Sequence, residues 1–267
     1  ITSALTAICH GNDAAVRLDV NEDGSRNQLV VDFGDVYVGA LEFTLDASSG
    51  TVLDLYGFEN FYENEIDFTT GLTYCCMTRT GCRYLVLTFS NQSKPVEISG
   101  LSIHHSTYPP SGLGNFRCND SILNRIWEMC RQTHICCMEE TFTDCPTYEQ
   151  TYWIGDALIS AYINAWLFGE YPLMRYCLTL ASGGFYTTPL LNALLPTDWN
   201  TSIPMWSINW LLAIEQYIDV SGDKEVLDEL YPAMIRLMDT FEDFVTPEGG
   251  FLINAWNMLD WAPLDIY

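Results

Sequence analysis

The chain has 267 residues, with 11 Lys and Arg against 35 Asp and Glu, for a formal net charge of −24. A hydrophobic fraction of 48% provides for a sizeable core and excludes wholesale disorder, while the lack of any basic stripe argues against nucleic acid and anionic membrane as partners. No apolar run reaches the roughly 18 residues of a membrane span. The start, Ile1-Thr2-Ser3-Ala4, is neither a signal peptide nor an initiating Met, so the sequence reads as cut at its N-terminus.

The first regular segments read as β. Gln28 to Gly34, Tyr37 to Asp46, Thr51 to Tyr56, Arg83 to Phe89 and Val96 to His105 are rich in Val, Leu, Ile, Phe and Tyr. Several alternate apolar and polar residues, as in Leu41-Glu42-Phe43-Thr44-Leu45. Turn signals separate them at Gly34-Asp35, Ser48-Ser49-Gly50 and Asn91-Gln92-Ser93. Strands at this spacing predict an antiparallel β-sandwich over residues 1–112. Tyr108-Pro109-Pro110-Ser111-Gly112 then breaks the pattern and reads as a linker.

From about Asn119 the period becomes helical. Asn119 or Asp120 can cap a helix carrying Ile122, Leu123, Ile126, Trp127 and Cys130. A second helix is predicted from near Gly155 to Phe168, and its all-round apolar character predicts burial on most sides. A third starts at Tyr171-Pro172 and ends before Gly183-Gly184. A fourth spans about Met205 to Val220, and a fifth about Lys224 to Val245, with Pro232 as the position where it could break. Helices joined by short loops indicate helical hairpins, and five of them make only part of a closed helical toroid.

Cysteine and histidine offer little chemistry. Ten Cys, including the neighbouring pairs Cys75-Cys76 and Cys136-Cys137, show no zinc-ligand spacing and read as small buried hydrophobes of a reducing compartment, which favours the cytoplasm. His10, His104, His105 and His134 are scattered and form no ligand pattern, so neither a metal nor another cofactor is expected. Abundant Trp and Tyr interleaved with acids fit a sugar cleft instead, where aromatic faces stack on pyranose C–H groups and carboxylates bind hydroxyls.

One stretch concentrates this chemistry: Asp144-Cys145-Pro146-Thr147-Tyr148-Glu149-Gln150-Thr151-Tyr152-Trp153-Ile154-Gly155-Asp156. It lies between the first two helices, as a loop entering a buried helix. Three carboxylates, Asp144, Glu149 and Asp156, alternate with Tyr148, Tyr152 and Trp153. A general acid needs a carboxyl that stays protonated near neutral pH, and aromatic packing and nearby like charges both favour that form. Glu149 has such company. The residues alone leave a plainer alternative, in which Asp156 serves the helix N-terminus, Glu149 is solvated and Trp153 is core.

This segment resembles the signature of the α-L-rhamnosidases of glycoside hydrolase family 78, which carry Asp-Cys-Pro, a Glu, a Trp and Gly-Asp at the mouth of an (α/α)6 toroid. Further stretches follow the family in order. They are Val31-Asp32-Phe33-Gly34 to Gly39-Ala40-Leu41-Glu42, Gly81-Cys82-Arg83-Tyr84-Leu85-Val86-Leu87 and Asn119 to Trp127. Ile203-Pro204-Met205-Trp206-Ser207, Ser221-Gly222-Asp223 with Leu230-Tyr231-Pro232, and Asp260-Trp261 continue the series. The resemblance implies a β-sandwich followed, over residues 113–267, by the first part of an (α/α)6 six-hairpin catalytic domain. It implies that Glu149 is the general acid, that Asp144 and Asp156 hold rhamnose hydroxyls, and that Trp153 is an apolar wall for the sugar's C6 methyl. Asp260 and Trp261 resemble a pair near the sugar. Trp199 and Trp206 fall in a loop and a helix start that could line the same cleft. Around the acid, many members carry Arg and further acids where this chain has Tyr148 and Gln150.

Family members invert the anomeric centre, which requires a second carboxylate about 6.5–9.5 Å from the acid. In the family that base lies far downstream, so it is expected beyond Tyr267. Glu215, Asp228 and Glu248 read as solvated surface acids instead. Two rival readings stay open: a rhamnose-binding relative without hydrolysis, and a six-hairpin glycosidase acting on another sugar.

Overall fold

Two periodicities in one chain give two kinds of layer. In the computed structural model, residues 15–58, 79–112, 114–186 and 188–258 are described. They fall into two compact units divided between Thr107 and Tyr108. The first unit is a five-stranded antiparallel sheet of β1 (Val16–Leu18), β2 (Asn27–Asp46), β3 (Val52–Phe58), β4 (Thr80–Ser90) and β5 (Val96–His105), in the order β1-β5-β2-β4-β3.

The two strands expected on either side of Gly34-Asp35 are one continuous strand. Gly34 sits at φ +84° and its N–H donates to Asp32 Oδ1 at 2.8 Å, so the turn signal produces a bulge inside β2. β2 is shared along its length, pairing with β4 from Asn27 to Gly39 and with β5 from Gly39 to Asp46. One core therefore takes Leu29, Val31, Leu85, Leu87 and Phe89 from one half and Phe43, Val96, Ile98, Val16 and Leu18 from the other. In β5 the buried phase slips from Val96 and Ile98 to Leu101 across Gly100, where the register with β2 also shifts. The described strands thus form one antiparallel sheet around a single apolar core, consistent with the antiparallel β-sandwich the alternation pointed to.

The second unit is helical. Its elements are α1 (Ser121–Cys136), α2 (Ala157–Leu167), α3 (Pro172–Ser182), α4 (Pro204–Ser221) and α5 (Glu225–Glu242), with the short strands β6 (Tyr152–Trp153) and β7 (Leu194–Leu195) between them. Asp120 caps α1 by accepting from Ile122 N and Leu123 N. Pro172 and Pro204 open α3 and α4 in the first turn, where no N–H is needed. α5 runs through Pro232 without ending there, forgoing the one ladder bond the imide cannot make.

The core joins Met174, Leu178, Trp210, Ile214, Tyr217, Leu230 and Leu237, with Trp210 Nε1 donating to Leu178 O at 3.0 Å. At the α4–α5 turn, Gly222 takes the left-handed conformation and Asp223 Oδ2 accepts from Tyr217 Oη at 2.8 Å and Arg175 Nε at 3.1 Å. Burial, helped by that contact, pushes the Tyr217 hydroxyl up to about 12, and the same hydrogen bond holds Asp223 below the ordinary carboxylate range.

Two expectations change. α2 buries a single stripe, Ala157, Ala161, Asn164 and Leu167, while Ile159, Tyr162 and Trp166 stand exposed. It is not enclosed by the described residues: α1, α3 and α4 pack against it and leave Ile159, Tyr162 and Trp166 exposed. Ile122, Leu123 and Ile126 of α1 are likewise exposed. The Pro-rich stretch after Tyr108 does not hang free: Tyr108 N donates to Met138 O, and Ser111 N and Oγ donate to the Glu170 carboxylate. Among the described residues, no helix is long and apolar enough to cross a membrane.

Candidate active site

The loop after α1 is closed at its base by a reciprocal pair. Asp144 N donates to Thr151 O at 3.0 Å, and Thr151 N donates to the Asp144 carboxylate at Oδ1, also at 3.0 Å. One oxygen of Asp144 is thus engaged in holding the loop. Within it, Glu149 N donates to Cys145 Sγ at 3.2 Å, so the Asp-Cys-Pro thiol anchors the backbone of the acid. Gln150 follows at φ +48°, a left-handed turn that non-glycine residues adopt at a cost of about 1 kcal/mol or more. That turn reverses the chain so that Trp153 Nε1 donates to Glu149 Oε2 at 2.7 Å.

Glu149 is exposed, and its aromatic contact comes from Trp153 rather than from its Tyr neighbours. Tyr148 is 89% exposed, and Tyr152 turns the other way, burying its ring and donating from Oη to Cys177 O at 3.0 Å. Tyr152 and Trp153 form β6, paired with Leu195 and Leu194 of β7. Alternation along β6 sends Tyr152 into the core and Trp153 toward the acid.

β7 also brings in the next segment. Asn192, 1% exposed, donates from Nδ2 to Leu194 O and Trp199 O and accepts from Thr201 N on Oδ1. This buried amide shapes the loop that carries Trp199. Trp199 meets Trp153 edge-on, with ring centroids 6.1 Å apart at 83°. Trp256, from the segment after α5, meets Trp153 at 6.5 Å and 74° and Trp199 at 6.3 Å. Both Trp199 and Trp256 remain partly exposed, so the three indoles form an open aromatic cluster beside Glu149.

Gly155 has a steric role. A Cβ there would lie 2.6 Å from Cγ and 2.8 Å from Cε2 of Trp206, so the indole at the start of α4 needs a residue without a side chain. Trp206 and Trp153 both pack on Ala193, Leu194 and Ile203. The indole N–H of Trp206 is buried with no hydrogen-bond partner among the described residues. Asp156 stands at the N-cap of α2 with its side chain exposed, and that side chain makes no capping hydrogen bond.

The structure therefore brings together Glu149, Trp153, Trp199 and Trp206, with Asp144 in the same loop and Asp156 beyond β6. Asp260 and Trp261 lie outside the described residues. Glu215, Asp228 and Glu248 are exposed surface acids, as read from the sequence. Asn192 and Trp256 were missed. The signal for Trp256 was a further indole in the loop before Asp260; Asn192 gave none, because a buried loop-shaping Asn looks like any other turn residue.

With this geometry in place, comparison adds the lineage. Residues 111–266 match the bacterial α-L-rhamnosidase six-hairpin glycosidase domain. The chain belongs to this family. The glycoside hydrolase family 78 rhamnosidase of Bacillus sp. GL1 resembles it with a TM-score of 0.88 and 35% identity, over 94% of this chain and 28% of that one. A rhamnosidase from Klebsiella oxytoca with rhamnose bound matches with a TM-score of 0.77, over 96% of this chain and 55% of that one, and at 20% identity this likeness speaks for the fold. No curated protein sequence matches. Family membership gives the helical hairpins of the second unit their place, as part of a six-hairpin glycosidase domain preceded by antiparallel β-structure.

Proposed function

We propose that the protein hydrolyses terminal α-L-rhamnosides with inversion, and that Glu149 is the general acid. The observation that carries this reading is an exposed carboxylate, hydrogen-bonded to Trp153, at the edge of a three-indole cluster in a rhamnosidase-family domain. Glu149 protonates the glycosidic oxygen as the C1–O bond breaks, and the bonding pair leaves with that oxygen. The sugar passes through an oxocarbenium-like transition state while water adds to C1 from the opposite face and gives its proton to a second carboxylate. By resemblance that base belongs to a later hairpin than those described here.

Asp144, through its remaining oxygen, and Asp156 bind sugar hydroxyls. Trp153, Trp199 and Trp206 supply apolar surface, which favours the methyl of a 6-deoxy sugar over a hydroxymethyl group. The carry-over of Asp260 and Trp261 to the sugar site rests on resemblance alone. The test is Glu149→Gln in the intact protein that carries this chain. Turnover of a rhamnoside with a poor leaving group should fall by about 100- to 10,000-fold, with the melting temperature unchanged. Near-normal turnover on such a substrate sinks the assignment. Rhamnose binding measured by calorimetry, without hydrolysis by the unmodified protein, would instead mark a binding relative.

A further inference from the structure

Glu149 is held at two points by groups that general-acid chemistry alone does not require. Its N–H is bound to Cys145 Sγ at 3.2 Å, and its Oε2 accepts the Trp153 indole N–H at 2.7 Å. An exposed Glu has several rotamers available and loses rotamer entropy when fixed, so a single short hydrogen bond to one oxygen selects among them. The donor is held in turn. Trp153 is fixed in the backbone by pairing with Leu194, rests on Ala193, Leu194 and Ile203, and meets Trp199 and Trp256 edge-on. Rings in this arrangement attract one another and restrict tilting of the indole.

The two carboxyl oxygens are therefore not equivalent. An oxygen that faces an N–H donor is a poor place for a proton, because two hydrogens would then point at each other. We infer that Trp153 is the positioning residue of the acid: its N–H occupies Glu149 Oε2, so that Oε1 is the oxygen that carries and delivers the proton, and Trp199 and Trp256 brace the indole in that role. In the step itself the Oε1–H bond breaks, the proton passes to the glycosidic oxygen, and the carboxylate left behind keeps the indole N–H as a charge-assisted hydrogen bond. Trp153 thus adds most once the proton has left, which favours the transition state over the bound substrate. This inference rests on Glu149 being the general acid. It adds Trp256, from a distant segment, to the residues on which proton delivery depends.

The leaving group provides the test, since an alcohol that departs poorly needs the proton and a dinitrophenolate does not. Methyl and 2,4-dinitrophenyl α-L-rhamnosides are compared in the intact protein, as wild type, Glu149→Gln and Trp153→Phe. For Trp153→Phe the inference expects kcat on the methyl rhamnoside to fall about 10- to 100-fold, KM to stay within about twofold, and kcat on the dinitrophenyl rhamnoside to change less than about threefold. Equal losses on both substrates with a raised KM would make Trp153 a sugar-contact residue only and overturn the inference. Unchanged turnover of the methyl rhamnoside would also overturn it. Failure of the acid assignment itself is seen separately, as a Glu149→Gln variant that still hydrolyses the methyl rhamnoside. If Trp153→Phe melts early, 3-benzothienylalanine at position 153 keeps the ring size, removes only the N–H, and is judged by the same pattern.

Discussion

At position 155 a single methyl group would have no room. The indole of Trp206 fills the space where a Cβ would project, and its neighbours Ala193 and Ile203 are fully buried, so the ring has little freedom to retreat. Gly155→Ala should cost about 1–3 kcal/mol, read as a lower melting temperature, and should displace Trp206 from its packing on Ala193, Leu194 and Ile203. The Asp144-to-Asp156 motif was legible as residues because its chemistry sits within one short stretch. What joins those residues was not legible. The Glu149–Trp153 hydrogen bond spans four positions, the spacing of a helix, yet it forms across the left-handed Gln150 and a two-residue strand. No propensity scale anticipates a non-glycine left-handed turn. Burial of Tyr152 also follows from the tertiary partners of β6, which alternation alone does not name.

At the scale of elements, helix starts and stops were readable from Asp120, Pro172, Pro204 and Gly222, because capping chemistry is local. Which face each helix buries was harder. α1 carries its apolar residues near its start, yet the described core holds its last turn, through His134 and Cys136. His134 is 5% exposed, stacked on Phe168 at 6.0 Å and close to Phe142 at 5.6 Å. Burial lowers its pKa to about 4, so the folded helix holds a neutral imidazole. The unfolded chain takes up this proton first as pH falls below the ordinary value of 6.5, so the contribution is intact above that value and is lost on the way down to pH 4. Acidification across this window should cost roughly 3 kcal/mol at this one residue. Urea midpoints measured from pH 7 to pH 4 should fall more steeply in the wild type than in His134→Phe, which keeps an aromatic ring but cannot take up the proton.

For the molecule as a whole, the division into β and helical parts followed from the change of period near Asn119, and strand alternation gave the sandwich. Two turn signals meant something else once the chain was folded. Gly34-Asp35 bulges a continuous strand, and the Pro-rich stretch after Tyr108 binds Met138 and Glu170 of the helical unit. Local sequence marks where the backbone deviates but not whether the neighbouring strand or helix then lets the chain turn away. The three-indole cluster shows the reverse case, a feature assembled from positions 153, 199 and 256 that no local window contains. It also has an optical consequence. Indoles with ring centres 6.1 to 6.5 Å apart couple their ultraviolet transitions, and the skewed ring planes make that coupling chiral. The assembled cluster should therefore carry an exciton band in circular dichroism that Trp256→Phe weakens, so that closure of three distant segments around the acid can be followed by light alone, before any sugar is added.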